Sequence, residues 1–291
     1  MNAVPAEFGR IGVVGGGVMG SGIAEVCALA GCEVIIAEAN DAAAARAKER
    51  VDSSLERAVR KSKLEPEAAT AASERISAAG DLASLHDRSL VIEAVLEDEA
   101  AKVEVFRALD SIVTDPDAVL ASNTSSIPIM KLGIATSRPE QVIGVHFFNP
   151  VPVLSLVELV PSLLTGDETT KRVEYFVEAT LGKQSVRCQD RAGFIVNALL
   201  VPYLLSAVRM VESGYARAED VDTGMVQGCA HPLGPLQLAD LIGLDTVKAI
   251  AESMYLEFKE PLYSPPPLLN RMVEAGLLGR KSGRGFHQYA A

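Results

Sequence analysis

Cysteine is scarce and scattered in this 291-residue chain: Cys27, Cys32, Cys188 and Cys229 form no CxxC pair and no closely spaced framework. That pattern excludes a disulfide scaffold and a zinc ribbon, so no metal site is expected and the thiols read as reduced, in a cytoplasmic setting. Basic residues are in deficit, 27 Lys and Arg against 38 Asp and Glu, for a formal net charge of −11. The mean field of such a chain repels polyphosphate, which argues against sequence-independent binding to nucleic acid or to an anionic membrane. Long apolar runs are missing too. The greasiest stretch, residues 194–211, is interrupted by Asn197, Pro202, Ser206 and Arg209, whereas a membrane span needs roughly 18 or more apolar residues in succession. It reads as a buried helix, and residues 1–10 lack the basic-then-apolar order of a secretory leader.

What is present is 48% hydrophobic and 22% charged, the composition of a globular protein. The length exceeds one typical hydrophobic core, so two domains are expected. Short buried strands are expected at 10–14, 33–37, 90–93, 118–122 and 141–146, separated by helical patterns at 18–30, 41–63 and 98–113. A strand at 154–159, a helix at 169–181 with Gly182 as its C-cap, and a strand at 184–187 follow. Alternation of this kind predicts an α/β domain with a mostly parallel sheet of the Rossmann type. After Cys188 only helical patterns remain, near 194–213, 218–227, 235–257 and 267–275. The expected division is 1–188 for the α/β domain and 189–291 for an all-helical domain.

The first strand runs into Gly15-Gly16-Gly17-Val18-Met19-Gly20, a G-x-G-x-x-G pattern. Alone that motif is weak; here it follows a strand, opens a helix, and precedes an acid, Glu38, at the end of the second strand. Gly15 permits the tight turn, Gly17 lets backbone approach a pyrophosphate, and Gly20 allows close helix–strand packing, with helix N–H groups left for the phosphates. Glu38 would accept from ribose hydroxyls and repel a 2′-phosphate, and Ala39-Asn40-Asp41 offers no arginine to attract one. The cofactor expected is NAD.

Of the four histidines, His146 closes a predicted buried strand, the edge where open α/β sheets place ligand sites. Glu158 lies inside the apolar Leu156-Val157-Glu158-Leu159-Val160, where a carboxylate needs a partner. The loop with Pro150 and Pro152 can return the chain so that the two meet. A His–Glu pair beside an NAD fold points to proton removal from an alcohol coupled to hydride transfer. Residues 57–63 (RAVRKSK) carry four positive charges and no negative one. They read either as a solvated helix end favoured by the helix dipole or as a dock for an anionic substrate tail.

Seven segments together resemble the short-chain L-3-hydroxyacyl-CoA dehydrogenase family, particularly its bacterial 3-hydroxybutyryl-CoA branch. They are 15–24 (GGGVMGSGIA), 122–126 (SNTSS), 146–153 (HFFNPVPV), 156–158 (LVE), 193–197 (GFIVN), 231–235 (HPLGP) and 279–286 (GRKSGRGF). The resemblance covers nearly the whole chain. It implies His146 as general base, Glu158 as the acid that holds it, and Ser125 and Asn197 as hydrogen-bond partners of the reacting oxygen and substrate, in a site formed with the second domain. It also implies Glu97, Lys102, Ser125, Asn149 and Lys281 as nucleotide contacts beside Gly15, Gly17, Val18, Met19, Gly20 and Glu38. Ser54 and Lys61 would bind coenzyme A, and the helical domain would form a homodimer. Taken alone, Ser125 lies in a polar turn or a cap for a helix starting near Pro128, Asn197 is a core amide, and Lys281 is a surface lysine.

The sequence departs from the family pattern at Glu38 (usually Asp), Ser62 (Gly), Ser155 (Lys), Ala192 (Pro) and His287 (an aromatic). None of these removes a proposed catalytic group; chain length and exact substrate stay open. A related dehydrogenase of another hydroxy acid, a carrier-bound hydroxyacyl substrate, and a non-catalytic NAD-binding protein remain the alternatives.

Overall fold

Five apolar, β-branched segments enter the core side by side, with nearly every side chain buried beyond the exposed Arg10 and Glu33 at two of their starts. In the computed structural model, which describes residues 8–289, they belong to a single eight-stranded sheet. The leader expectation for residues 1–10 falls mostly outside the described residues. The strands are β1 (Arg10–Val14), β2 (Glu33–Ala37), β3 (Ile76–Ala79), β4 (Leu90–Glu93), β5 (Val119–Ser122), β6 (Val142–Phe147), β7 (Leu156–Pro161) and β8 (Gln184–Arg187). Their spatial order is β3-β2-β1-β4-β5-β6-β7-β8. All neighbouring pairs run parallel except β6 and β7, which are antiparallel. Strand order reverses between β1 and β4, the place where such sheets open a crevice for ligands.

Helices cover both faces of the sheet, which is why its central strands need no polar alternation. Helix α1 (Val18–Leu29) buries Ile23, Ala24, Val26, Cys27 and Ala28. Helix α2 (Asp41–Arg60) buries Ala44, Ala47, Val51 and Leu55, a spacing of three and four that gives one apolar stripe. Asn40 caps α2 by accepting from Ala43 N–H at 2.9 Å, and Arg57 and Arg60 lie in its last turn, where cations complement the dipole. Helices α3 (Pro66–Glu74), α4 (Glu99–Ile112), α5 (Ile129–Gly133) and α6 (Asp167–Tyr175) complete the unit. Helix α6 continues as a wider π-type turn over Phe176–Thr180, and Gly182 follows in the left-handed conformation, φ 63°.

Three stretches differ from the sequence expectation. Helix α3 and strand β3 occupy a stretch for which no element was expected. Their sequence, PEAATAASERISAA, holds one large apolar residue, Ile76, and β3 is an edge strand paired only to β2. The helix expected over 235–257 is two, α9 (Pro235–Ile242) and α10 (Leu244–Phe258), because Gly243 between them takes φ 103°. The strand expected at 154–159 is displaced to Leu156–Pro161.

The described chain separates after Asp190 into two compact units. The second consists of α7 (Val196–Glu212), α8 (Ala218–Cys229), α9, α10 and α11 (Pro267–Glu274) around Val201, Leu204, Leu205, Val208, Leu236, Val247, Met254 and Leu269. Two buried acids organise it. Asp222 accepts from the N–H groups of Leu236 (2.8 Å) and Gln237 (3.0 Å) at the start of α9, and pairs with His287 Nε2 at 2.7 Å. Asp240 accepts from Phe286 N–H (3.0 Å), His287 N–H (2.9 Å) and Tyr289 hydroxyl (2.9 Å). A Cβ on Gly285 would stand 1.9 Å from Asp240 Oδ1, so the tail can be gripped this way only if that residue is glycine. His287, the departure from the family aromatic, thus has a defined partner. Asp222→Ala strands three donors at once and is expected to lower the stability of this unit by about 2–4 kcal/mol. Denaturant unfolding followed by far-UV circular dichroism checks it, and an unchanged midpoint would refute the account.

Candidate active site

The glycine loop leaves β1 at the sheet's reversal point. Gly15 takes φ 90°, and a Cβ there would lie 2.8 Å from Ala94 carbonyl oxygen. A Cβ on Gly20 would stand 1.8 Å from Gly15 carbonyl oxygen, so only glycine lets α1 begin so close to the strand. At Gly17 a Cβ would meet no atom within 4 Å: the loop faces open space there. Val18 and Met19 begin α1, whose N-terminus has neither a side-chain cap nor an acid in its first turn. Those N–H groups suit a pyrophosphate, and the residues present fit a dinucleotide.

Glu38, longer than the usual aspartate, reaches back into this loop: its Oε1 accepts from Gly16 N–H at 2.7 Å and its Oε2 from Ala39 N–H at 3.2 Å. From α2, Arg50 donates to the Gly16 carbonyl, a contact that sequence reading did not anticipate. Nothing short-range signals it, since the partners are 34 residues apart.

At the far side of the crevice, β6 and β7 set His146 directly opposite Glu158 in their antiparallel register. Nδ1 of His146 lies 2.7 Å from Glu158 Oε2. Glu158 is 0% and His146 7% exposed. A carboxylate in that position accepts a hydrogen bond from Nδ1–H, which keeps that proton on Nδ1 and leaves the lone pair on Nε2, the tautomer of a base. Phe148 packs edge-on to the imidazole, ring centroids 4.6 Å apart. Burial first, then the charges of Glu158 and Asp190, push the Cys188 thiol up to about 12, so it stays neutral beside the dyad.

Ser125 sits in the loop after β5, half-buried, with its N–H donating to Glu97 Oε1 at 2.9 Å. Lys102 is enclosed, its Nζ 2.6 Å from Glu93 Oε1 and 3.3 Å from Glu97 Oε2. Glu93 was not singled out from the sequence, although its signal is the one that marked Glu158: an acid inside an apolar strand, LVIE. The exposed Asn149 follows His146-Phe147-Phe148. The carbonyls of Val151 and Leu154, just beyond, are held by Lys183 Nζ at 2.8 and 2.7 Å. Asp190 accepts from the N–H groups of Ile129 (2.8 Å) and Met130 (2.9 Å), so the start of α5 near Pro128 is capped from a distance.

On α2, Ser54 hydrogen-bonds the buried Glu25 of α1, whose carboxyl burial pushes up. Lys61 is exposed immediately after α2, and among the described residues neither it nor Lys63 has a carboxylate within 4 Å. Ser62, in place of the family glycine, adopts φ 53°. In the second unit, Asn197 is buried at the start of α7, and Lys281 pairs with Asp245 at 2.6 Å.

Alcohol oxidation needs a hydride acceptor and a proton acceptor at one place, and this sheet supplies a dinucleotide fold and a carboxylate-held imidazole along one edge. That is the class of nicotinamide-dependent dehydrogenases acting on a hydroxyl group. The 3-hydroxyacyl-CoA dehydrogenase NAD binding domain matches residues 10–191, and the 3-hydroxyacyl-CoA dehydrogenase C-terminal domain matches residues 193–289. A 3-hydroxybutyryl-CoA dehydrogenase of Mycobacterium tuberculosis is 61% identical over 96% of this chain and 98% of its own. The crystal structure of M. tuberculosis FadB2 superposes with a TM-score of 0.96 at 60% identity, covering 97% of this chain and 99% of that one. That of (S)-3-hydroxybutyryl-CoA dehydrogenase PaaH1 from Ralstonia eutropha gives 0.92 at 43%, covering 98% and 100%. The chain belongs to the 3-hydroxyacyl-CoA dehydrogenase family.

General base catalysis is typically worth about 10²–10⁴-fold, so His146→Ala is expected to lose kcat on that scale while NADH binding persists. Glu158→Gln presents an amide that can leave the wrong imidazole tautomer, with an expected loss of about 10²-fold or more. Steady-state rates with NADH titrated in parallel check both, and an intact kcat in either variant would refute the dyad.

Proposed function

We propose that the chain interconverts (S)-3-hydroxybutyryl-CoA and acetoacetyl-CoA with NAD. The observation that carries this reading is the buried His146–Glu158 pair on the edge of a dinucleotide-binding sheet, in a chain whose relatives are 3-hydroxybutyryl-CoA dehydrogenases. NAD, when bound, accepts the hydride from C3 of the substrate. His146 takes the hydroxyl proton through Nε2, and Glu158 stabilises the imidazolium that forms. Ser125 and Asn197 hydrogen-bond the oxygen as it becomes a carbonyl. Gly15, Gly17, Val18, Met19 and Gly20 receive the pyrophosphate, and Glu38 selects the unphosphorylated ribose. Glu97, Lys102, Asn149 and Lys281 complete the nucleotide site.

Coenzyme A carries phosphates, and Arg57, Arg60, Lys61 and Lys63 gather positive charge at the end of α2 with one ion pair among them, Arg60 to Glu56 at 3.6 Å. Ser54 and Lys61 are the substrate contacts in this reading. A cytoplasmic setting belongs to the same reading and rests on four scattered cysteines with no paired framework; no helix among the described residues is long and apolar enough to cross a membrane. A homodimer through the helical unit accounts for Leu199, Leu256 and Leu241, which are 74%, 70% and 51% exposed in the single chain.

The test is NADH oxidation with acetoacetyl-CoA, run beside free acetoacetate and NADPH. Turnover is expected only with the thioester and NADH together. Bound NADH without turnover would move the substrate to another hydroxy acid or a carrier-borne acyl group. Lys61→Glu is expected to raise the KM for acetoacetyl-CoA about tenfold or more and leave the NADH KM within about twofold. Equal damage to both constants would sink the coenzyme A assignment.

A further inference from the structure

Glu93 ends β4 with 0% exposure, and it is itself neither a member of the dyad nor one of the proposed nucleotide contacts. A fully enclosed carboxylate persists only where partners meet both oxygens. Oε1 accepts from Lys102 Nζ and from Val95 N–H, each at 2.6 Å, and Oε2 accepts from Ser122 Oγ at 2.6 Å. Two routes lead from there to one loop. By the first, Lys102, itself 1% exposed, reaches Glu97 Oε2 at 3.3 Å. Glu97 Oε1 takes the Ser125 N–H at 2.9 Å and the hydroxyls of Thr124 and Ser126. By the second, Ser122 Oγ accepts from Thr124 N–H at 3.2 Å. The backbone adds a third tie, from Asn123 N–H to Glu93 carbonyl oxygen at 2.8 Å.

We propose that Glu93 is a positioning residue that fixes the backbone at Ser125 through Lys102–Glu97 on one side and Ser122–Thr124 on the other. This deepens the reading in which Ser125 contacts the reacting oxygen and the nucleotide, and it rests on that reading. The physical reason is competition for one ammonium. Lys102 is shared by two carboxylates, and while Glu93 holds it at 2.6 Å, Glu97 keeps an oxygen for the Ser125 N–H. Glu93→Gln preserves volume but removes one charge. Lys102 then draws Glu97 toward itself, and the Ser125 loop loses its acceptor. A misplacement of about 1 Å at a reacting group can cost on the order of 10²-fold in rate.

The experiment is a double-mutant cycle of Glu93→Gln and Ser125→Ala on the full chain, read both as kcat with acetoacetyl-CoA and as NADH Kd from NADH fluorescence. Glu93→Gln alone is expected to lower kcat about 10- to 100-fold, raise NADH Kd about 3- to 10-fold, and leave the acetoacetyl-CoA KM within about 3-fold. In the Ser125→Ala background the same substitution should change either quantity less than about 3-fold. Unchanged kcat and Kd in Glu93→Gln, or effects that multiply in the double variant, overturn the proposal. A residue that only stabilises the fold would shift the melting temperature and leave both constants in place.

If Glu93→Gln does not fold, Ser122→Ala takes its place in the cycle. It deletes one arm and keeps the ion pair, with an expected loss of about 3- to 10-fold that again vanishes with Ser125→Ala. Absence of turnover by the unmodified chain would defeat the substrate reading, and the NADH Kd cycle would still decide the role of Glu93.

Discussion

One rung of an antiparallel strand pair governs this site. His146 and Glu158 face each other because β6 and β7 pair in a register that places them opposite, both out of water. A one-residue slip would turn each side chain to the other face of the sheet and put a charge in the apolar layer that Val157 and Leu159 fill. Burial and register therefore reinforce each other: the pair tolerates burial only when in register, and the apolar neighbours permit only that register. The single antiparallel step in an otherwise parallel run is what brings two adjacent strands into reach through a short connection. Val151, 2% exposed in that connection, lies close against Gly22 of α1, and Lys183 holds its carbonyl from the other side.

The same edge carries a second constraint, on how near backbone can come. The dinucleotide loop tolerates a Cβ at Gly17 but not at Gly15 or Gly20, which separates the position that faces open space from the positions packed against protein backbone. Gly16 is restricted from yet another side, since a Cβ there would stand 2.2 Å from the Ala47 Cβ of α2. The loop is a junction of β1, α1 and α2, with Glu38 and Arg50 bonded to the two ends of one peptide residue. A polar clamp of this kind presets the loop, so the entropy of ordering it is already met before any nucleotide arrives.

Much of this was legible in the chain itself, for identifiable reasons. Glycines ahead of an apolar helix, an acid one strand later, and a carboxylate alone in an apolar run each break a local expectation, and such breaks mark function. Glu93 broke the same rule and went unread because it closes its strand, where a polar residue passes for the start of a loop. Strand β3 left no signal because an edge strand with one buried side chain needs no apolar pattern. Arg50, Lys183 and Asp190 act on carbonyls or N–H groups 29 to 61 residues away. Their residue types are those of ordinary surface charges, and only the fold distinguishes them. The break at Gly243 was readable in principle, as a glycine flanked by two helical patterns.

Electrostatics reconcile an acidic chain with an anionic substrate. At physiological ionic strength charges are screened beyond about 8 Å, so a net charge of −11 spread over the surface is weak at any one spot compared with cations concentrated in one turn. Residues 57–63 supply that concentration at the carboxyl end of α2, where the helix dipole already favours positive charge and so offsets their mutual repulsion. Glu25, a buried acid of α1, opposes this field least when protonated, and burial pushes its carboxyl in that direction. Arg57 acts the other way on the same carboxyl and draws it toward its charged form. The polar trio of Glu25, Ser54 and Arg57 thus balances desolvation against attraction beneath the α2 surface. The exposed Lys61 and Lys63 stand outside that trio, and among the described residues neither has a carboxylate within 4 Å.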